Sequence, residues 1–202
     1  VGLMQFDAAI DSYNQALKIN PNYAEAYYNM GIALKGKGNI EAAIDSYNQA
    51  LKINPNYAEA YNNMGLALRD KGDIEAAIDS YNQALKINPN YAEASNNMGA
   101  ALQSKGNIEA AIDSYNQALK INPNYAEAYY NMGIALKGKG NIEAAIDSYN
   151  QALKINPNYA EAYNNMGLAL RDKGDIEAAI DSYNQALKIN PNYAEAYYNM
   201  GI

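Results

Sequence analysis

The chain has 202 residues, a net charge of −7, and no His, Cys or Trp. Without Cys there is no disulfide framework and no thiolate zinc site, and the acidic balance argues against nucleic acid and anionic membrane surfaces, both of which select basic stripes. No apolar run approaches the roughly 18 residues that a membrane span requires, no leader pattern opens the chain, and the expected setting is cytoplasmic.

The phrase NPNYAEA occurs at 20–26 and returns at 54, 88, 122, 156 and 190, always 34 residues on. A fixed period of this size marks an array of small units, not one or two ordinary domains. Residues 1–23 hold a partial unit, a lone helix at about 6–19 behind a divergent start, VGLMQF, in which Met4 stands where Gly38 stands one unit later. Residues 24–193 hold five complete units, and 194–202 begin another.

In the unit that begins at Ala24, the first helix is predicted over about 24–37. Asn22 and Glu25 form an Asn version of the capping box, and Gly38 is placed for a left-handed C-terminal residue. Asn39 is expected to cap a second helix over about 40–53, with Glu41 at the positive end of its dipole. Pro55 stops that helix and biases Asn54 toward an extended conformation. NPNYAEA is therefore punctuation, ending one helix and starting the next. At about 100° per residue, Ala26, Tyr27, Met30, Gly31, Ala33 and Leu34 share one arc of the first helix, and Ile40, Ala43, Ile44, Tyr47, Ala50 and Leu51 share one arc of the second. The small residues Gly31, Ala43 and Ala50 let backbones approach. Neither stripe can be buried by one hairpin alone, so the hairpins must stack into an all-α solenoid.

The order Tyr27, Met30–Gly31, Leu34, Gly38, Ala43, Tyr47, Ala50 and Pro55, at this period and through nearly the whole chain, resembles the tetratricopeptide repeat. The departures are mild: Tyr or Ser95 where Trp is usual, and Met where Leu is usual. The resemblance implies a right-handed superhelical solenoid of antiparallel helix pairs, with the first helices lining a concave, ligand-facing side.

A longer period of 102 residues lies within the short one, residues 8–94 being identical to 110–196. Among the complete units only the first helices and the Asn39 position vary. Tyr27 becomes Tyr61 or Ser95, Tyr28 becomes Asn62 or Asn96, Ile32 becomes Leu66 or Ala100, Lys35 becomes Arg69 or Gln103, Gly36 becomes Asp70 or Ser104, and Asn39 becomes Asp73 or Asn107. Positions 28, 32, 35 and 36 share the arc opposite the core stripe with Glu25 and Asn29. Drift at exposed positions costs under about 0.5 kcal/mol and explains such changes. Drift should also have touched Glu41, Asp45, Asn48 and Lys52 on the second helix, and these do not vary.

No catalytic constellation is visible. Ser46 and its copies have no His to activate them, and Glu41 with Asp45 reads as a solvated helix face, not a metal site. No enzyme activity, metal or cofactor is expected. The tyrosines at 13, 47, 81, 115, 149 and 183 lie on the apolar stripe and belong to the core. Tyr28, Tyr130 and Tyr198 lie on the outward arc, where a ring can anchor a partner.

One asparagine recurs per first helix, at Asn29, Asn63, Asn97, Asn131, Asn165 and Asn199. A carboxamide carries donors and an acceptor and can pair with any peptide backbone; it can equally help pack neighbouring hairpins. A similar asparagine ladder lines the tetratricopeptide array of O-linked N-acetylglucosamine transferase and holds peptide there. The family's clamp for acidic chaperone tails is not matched, because Tyr28, Asn62 and Asn96 stand where it needs Lys, and Ile32, Leu66 and Ala100 where it needs Asn.

The reading is a non-catalytic protein-interaction scaffold that holds a peptide through Asn29, Asn63, Asn97, Asn131 and Asn165, with Tyr28 and Tyr130 as anchors. Lys35, Arg69, Lys137 and Arg171 would add a preference for acidic groups beside apolar ones. The alternatives are the substrate-recruiting array of a larger enzyme, such as a glycosyltransferase, and a structural solenoid that associates end to end. For the last, the helix at 6–19 lacks a first-helix partner, and the stub after 194 is expected to leave Ile180, Tyr183 and Leu187 incompletely covered.

Overall fold

The computed structural model describes residues 2–201; Val1, Ile202 and the side chains of the divergent start through Met4 lie outside the described part. Among the described residues there are twelve α-helices and no strand. They are α1 (Gly2–Ile19), α2 (Ala24–Gly36), α3 (Ile40–Ile53), α4 (Ala58–Lys71), α5 (Ile74–Ile87) and α6 (Ala92–Ser104), then α7 (Ile108–Ile121), α8 (Ala126–Gly138), α9 (Ile142–Ile155), α10 (Ala160–Lys173), α11 (Ile176–Ile189) and α12 (Ala194–Met200). Two compact units divide them, α1–α6 within residues 1–105 and α7–α12 within 106–202.

The local signals act largely where the sequence places them. Gly38 is left-handed at φ +84°. Its N–H donates to the Lys35 carbonyl at 2.9 Å, and the Asn39 N–H donates to the Leu34 carbonyl at 2.9 Å. This paired Schellman closure satisfies two carbonyls that the end of α2 would otherwise leave open. Gly72, Gly140 and Gly174 close α4, α8 and α10 in the same way.

The helix starts differ from expectation. The residue before α2 is Tyr23, not Asn22, and neither Tyr23 nor Asn39 makes a side-chain capping bond. Asn39 instead centres an inverse γ-turn (φ −84°, ψ 70°), the Ile40 N–H donating to the Gly38 carbonyl at 3.0 Å. Of the second helices, α11 does receive a cap, from Asp175, whose Oδ1 accepts the Ala178 N–H at 3.2 Å. Asp175 caps from nearly the same backbone (φ −89°, ψ 78°), so this turn does not itself prevent a cap. The asparagines of NPNY work one step earlier: Asn54 Oδ1 accepts the Asn56 N–H at 3.1 Å, an Asx turn that carries the chain around Pro55.

Within each unit the core is built from alanine and tyrosine. Ala43, Tyr47 and Ala67 form one buried cluster, closed by Leu34, Ile40, Ile44 and Met64. Ala77, Tyr81 and Ala101 repeat it one hairpin on, and Ala145, Tyr149 and Ala169 repeat it in the second unit. A Cβ on Gly31 would lie 2.5 Å from the Tyr47 ring, so the glycine gives the ring its seat against α2. Such a ring buries roughly 150–250 Å², at most about 4–6 kcal/mol at 25 cal/mol per Å². The unpaired Tyr47 hydroxyl offsets part of that. Ser46, outside the predicted stripe, is also buried, its hydroxyl donating to the Ala42 carbonyl at 2.9 Å.

Tyr183 is a correction. It is buried, its ring seated against Gly167 of α10, where a Cβ would meet it at 2.5 Å. Ile180 is exposed as expected, and Ile176 with it.

Candidate functional site

The first helices of each unit lie against one another in order, α2 with α4 and α4 with α6, then α8 with α10 and α10 with α12. Their register brings together residues 35 apart, one more than the repeat. Asn63 Nδ2 donates to the Tyr28 hydroxyl at 2.8 Å, and Asn97 Nδ2 to Asn62 Oδ1 at 3.0 Å. In the second unit Asn165 Nδ2 donates to the Tyr130 hydroxyl at 2.9 Å, and Asn199 Nδ2 to Asn164 Oδ1 at 3.0 Å. The same offset pairs Lys35 with Asp70 at 2.9 Å and Lys137 with Asp172 at 2.8 Å.

Asn63, Asn97, Asn165 and Asn199 of the expected ladder therefore bridge neighbouring first helices through side chains. Asn97 is buried in this way, and Asn62 beneath it also donates to Glu93 Oε1 at 3.2 Å. Asn63 and Asn165 stay partly exposed, and a single bond to tyrosine leaves each carboxamide a second N–H and its oxygen. Asn29, also partly exposed, lines a depression of about 280 Å³ with Tyr13, Tyr23 and Glu25. Asn131 lies partly exposed on α8.

Tyr28 and Tyr130 do not project freely. The Tyr28 ring centroid lies 4.8 Å from that of Tyr57 and 6.2 Å from that of Tyr47; Tyr130 stands at the same separations from Tyr159 and Tyr149. Burial pushes the Tyr28 and Tyr130 hydroxyls above the ordinary phenol range, with Glu59 and Glu161 adding to it. Tyr57 is pushed up to about 12, by burial first and then by Tyr28 and the neighbouring glutamates. Tyr57 and Tyr159 were not among the expected site residues. No sequence signal separates them from the other tyrosines of NPNY, because their ring pairing depends on how one first helix lies along the next.

Beside Tyr130, a depression of about 310 Å³ between α8 and α10 is lined by Ile134, Lys137, Gly138, Tyr149, Asn165 and Leu168. It combines two aliphatic walls, a carboxamide, an ammonium held by Asp172, and a buried phenol. The Tyr149 hydroxyl has no hydrogen-bond partner. Arg69 and Arg171 lie partly exposed on α4 and α10, and Arg171 Nη1 is buried without a partner. The expected preference for acidic groups thus meets lysines already paired to Asp70 and Asp172.

Among the described residues no cluster of three or more ionisable side chains could hold a metal ion, and no helix is long and apolar enough to cross a membrane. Of the serines weighed as nucleophiles, Ser46, Ser80, Ser114, Ser148 and Ser182 are buried and Ser12 is exposed. Their hydroxyls donate to carbonyls one turn back, as Ser148 does to Ala144 at 2.8 Å.

The sequence pattern of the TPR repeat matches residues 5–38, 33–68, 65–106, 101–140, 135–170 and 167–202. The chain belongs to the TPR-repeat family. Solved structures share the helical-repeat solenoid. The structure of MamA is 31% identical, over 82% of this chain and 97% of MamA, with a TM-score of 0.74. YrrB, described as a TPR protein with an unusual peptide-binding site, is 23% identical over 96% of this chain and 100% of its own, with a TM-score of 0.74. PilF of Pseudomonas aeruginosa is 18% identical over 98% and 99%, with a TM-score of 0.80. No curated protein sequence matches the chain.

Proposed function

We propose that this TPR chain is a non-catalytic protein-interaction scaffold that holds a peptide segment across its first helices. The observation that supports this best is the depression between α8 and α10. There the partly exposed Asn165 stands between Ile134 and Leu168, with hydrogen-bonding capacity beyond its bond to Tyr130. Asn63 occupies the same relation to Tyr28 in the first unit. An apolar wall with a few placed polar groups is the usual make-up of a ligand site. The peptide-binding site named for YrrB, a similar fold, is in keeping with this reading.

Binding to an unbiased peptide array tests it. The chain is expected to retain a subset of peptides, and Asn63→Ala with Asn165→Ala to weaken them about two- to ten-fold per lost contact, the worth of a hydrogen bond of about 0.5–1.5 kcal/mol. Asp45→Asn with Asp147→Asn, on exposed second-helix faces, should leave binding unchanged. An array pattern indifferent to the asparagines would remove these residues from the site, and a blank array would remove the scaffold reading.

A further inference from the structure

We propose that the partner is a basic peptide segment, with a lysine or arginine side chain seated against Tyr28 and Tyr57 in the first unit and against Tyr130 and Tyr159 in the second. This rests on the peptide-scaffold reading and names its ligand chemistry.

Charge is the first ground. On the outward arc of the first helices, the first unit carries the carboxylates Glu25, Glu59, Glu93 and Asp70 against the cations Lys35 and Arg69. The second unit repeats that excess of carboxylates. The lysines are internally neutralised, Lys35 by Asp70 and Lys137 by Asp172. Glu59 and Glu161 are exposed and, among the described residues, in no ion pair. A cationic segment meets uncompensated charge here, and an acidic one meets like charge.

The second ground is aromatic. Each unit presents a pair of tyrosine rings 4.8 Å apart beside such a glutamate. Aromatic faces next to a carboxylate attract ammonium and guanidinium groups, and the guanidinium stacks best. Tyr149 also lines the depression beside Tyr130, with a buried hydroxyl that has no partner in the fold. Its oxygen is an acceptor, and Lys and Arg heads are donors only. The aliphatic walls Ile134 and Leu168 match the apolar stems of those side chains.

The test is fluorescence anisotropy with the whole chain and labelled dodecapeptides of alternating Arg–Ala, Ser–Ala and Glu–Ala. The Arg–Ala peptide is expected to bind about ten-fold or more tighter than Ser–Ala, with Glu–Ala weakest. Glu59→Gln with Glu161→Gln should weaken Arg–Ala binding about five-fold. Asp45→Asn with Asp147→Asn, which removes the same charge from the second helices, should change it less than about two-fold. Tyr149→Phe, checked for unchanged helicity, should also weaken it. Equal losses from both charge-removing pairs would show mere long-range attraction and overturn the site. Glu–Ala or Ser–Ala binding as well as Arg–Ala overturns the basic-ligand proposal while the scaffold reading stands on its array. If no dodecapeptide binds and the array is also blank, both fall.

Discussion

Two glycines with the same sequence neighbours show how far one residue's role depends on what faces it. Gly36 and Gly138 end identical first helices. A Cβ on Gly36 would lie 2.6 Å from the Phe6 ring, and a Cβ on Gly138 would meet nothing within 4 Å. Phe6 belongs to α1, and the residue 102 positions later is the smaller Ile108. Gly36→Ala is therefore expected to cost about 1–3 kcal/mol by overpacking, while Gly138→Ala is neutral or gains up to about 1 kcal/mol from helix propensity. Urea unfolding midpoints of the two variants would check this; equal shifts would mean that the Phe6 contact does not govern the difference.

Between elements, the recurring device is a polar clip across neighbouring first helices at an offset of 35 residues. Asn63 to Tyr28 is the case best suited to measurement, because Tyr28→Phe removes the acceptor and keeps the ring against Tyr57. A double-mutant cycle of Tyr28→Phe and Asn63→Ala should give a coupling of about 0.5–1.5 kcal/mol. Additive effects would mean that the bond contributes nothing to the helix–helix contact. The exposed Lys–Asp pairs at the same offset should couple less, about 0–1 kcal/mol and salt-dependent. The period of 34 was readable from the sequence, but the offset of 35 was not. Its pairings Lys35–Asp70 and Tyr28–Asn63 went unpredicted because period alone does not fix how far one helix slides along the next.

At the scale of the whole molecule the distinctive quantity is the number of tyrosines held neutral. Burial raises the hydroxyls of Tyr47, Tyr81, Tyr149 and Tyr183 in the cores above the ordinary phenol range. Before the first helices it pushes Tyr57 and Tyr193 up to about 12. An unfolded tyrosine ionises near pH 10. Below that pH both states hold the proton and these groups leave stability independent of pH. Above it the unfolded chain loses protons that the folded chain keeps, so stability falls as pH climbs from about 10 through the folded values, by up to about 1.4 kcal/mol per pH unit for each such tyrosine. Tyrosinate absorbance is expected to rise late and together with loss of the helical circular dichroism signal. Absorbance that titrates near pH 10 while helicity persists would show that these hydroxyls are not protected by the fold.

What the sequence determined by itself was everything carried by neighbours along the chain. The helix ends at Gly38 and its copies follow from the left-handed conformation that glycine adopts without a Cβ penalty. The placement of Ala43, Tyr47 and Ala50 in the core follows from the 3.6-residue period, and the stacked all-α array from faces that one hairpin cannot bury. Local cap chemistry was less decisive: α2 starts after Tyr23, not Asn22, and Asn39 makes no side-chain capping bond. Only tertiary structure decided the fate of the polar arc, because hydrogen-bond and ion-pair partners come from a neighbouring helix whose slide the residues of one helix do not state. It turned the asparagines at 63, 97 and 165 into clips, set Asp70 and Asp172 on the lysines, and drew Tyr28 and Tyr130 from open anchors into ring pairs beside exposed glutamates.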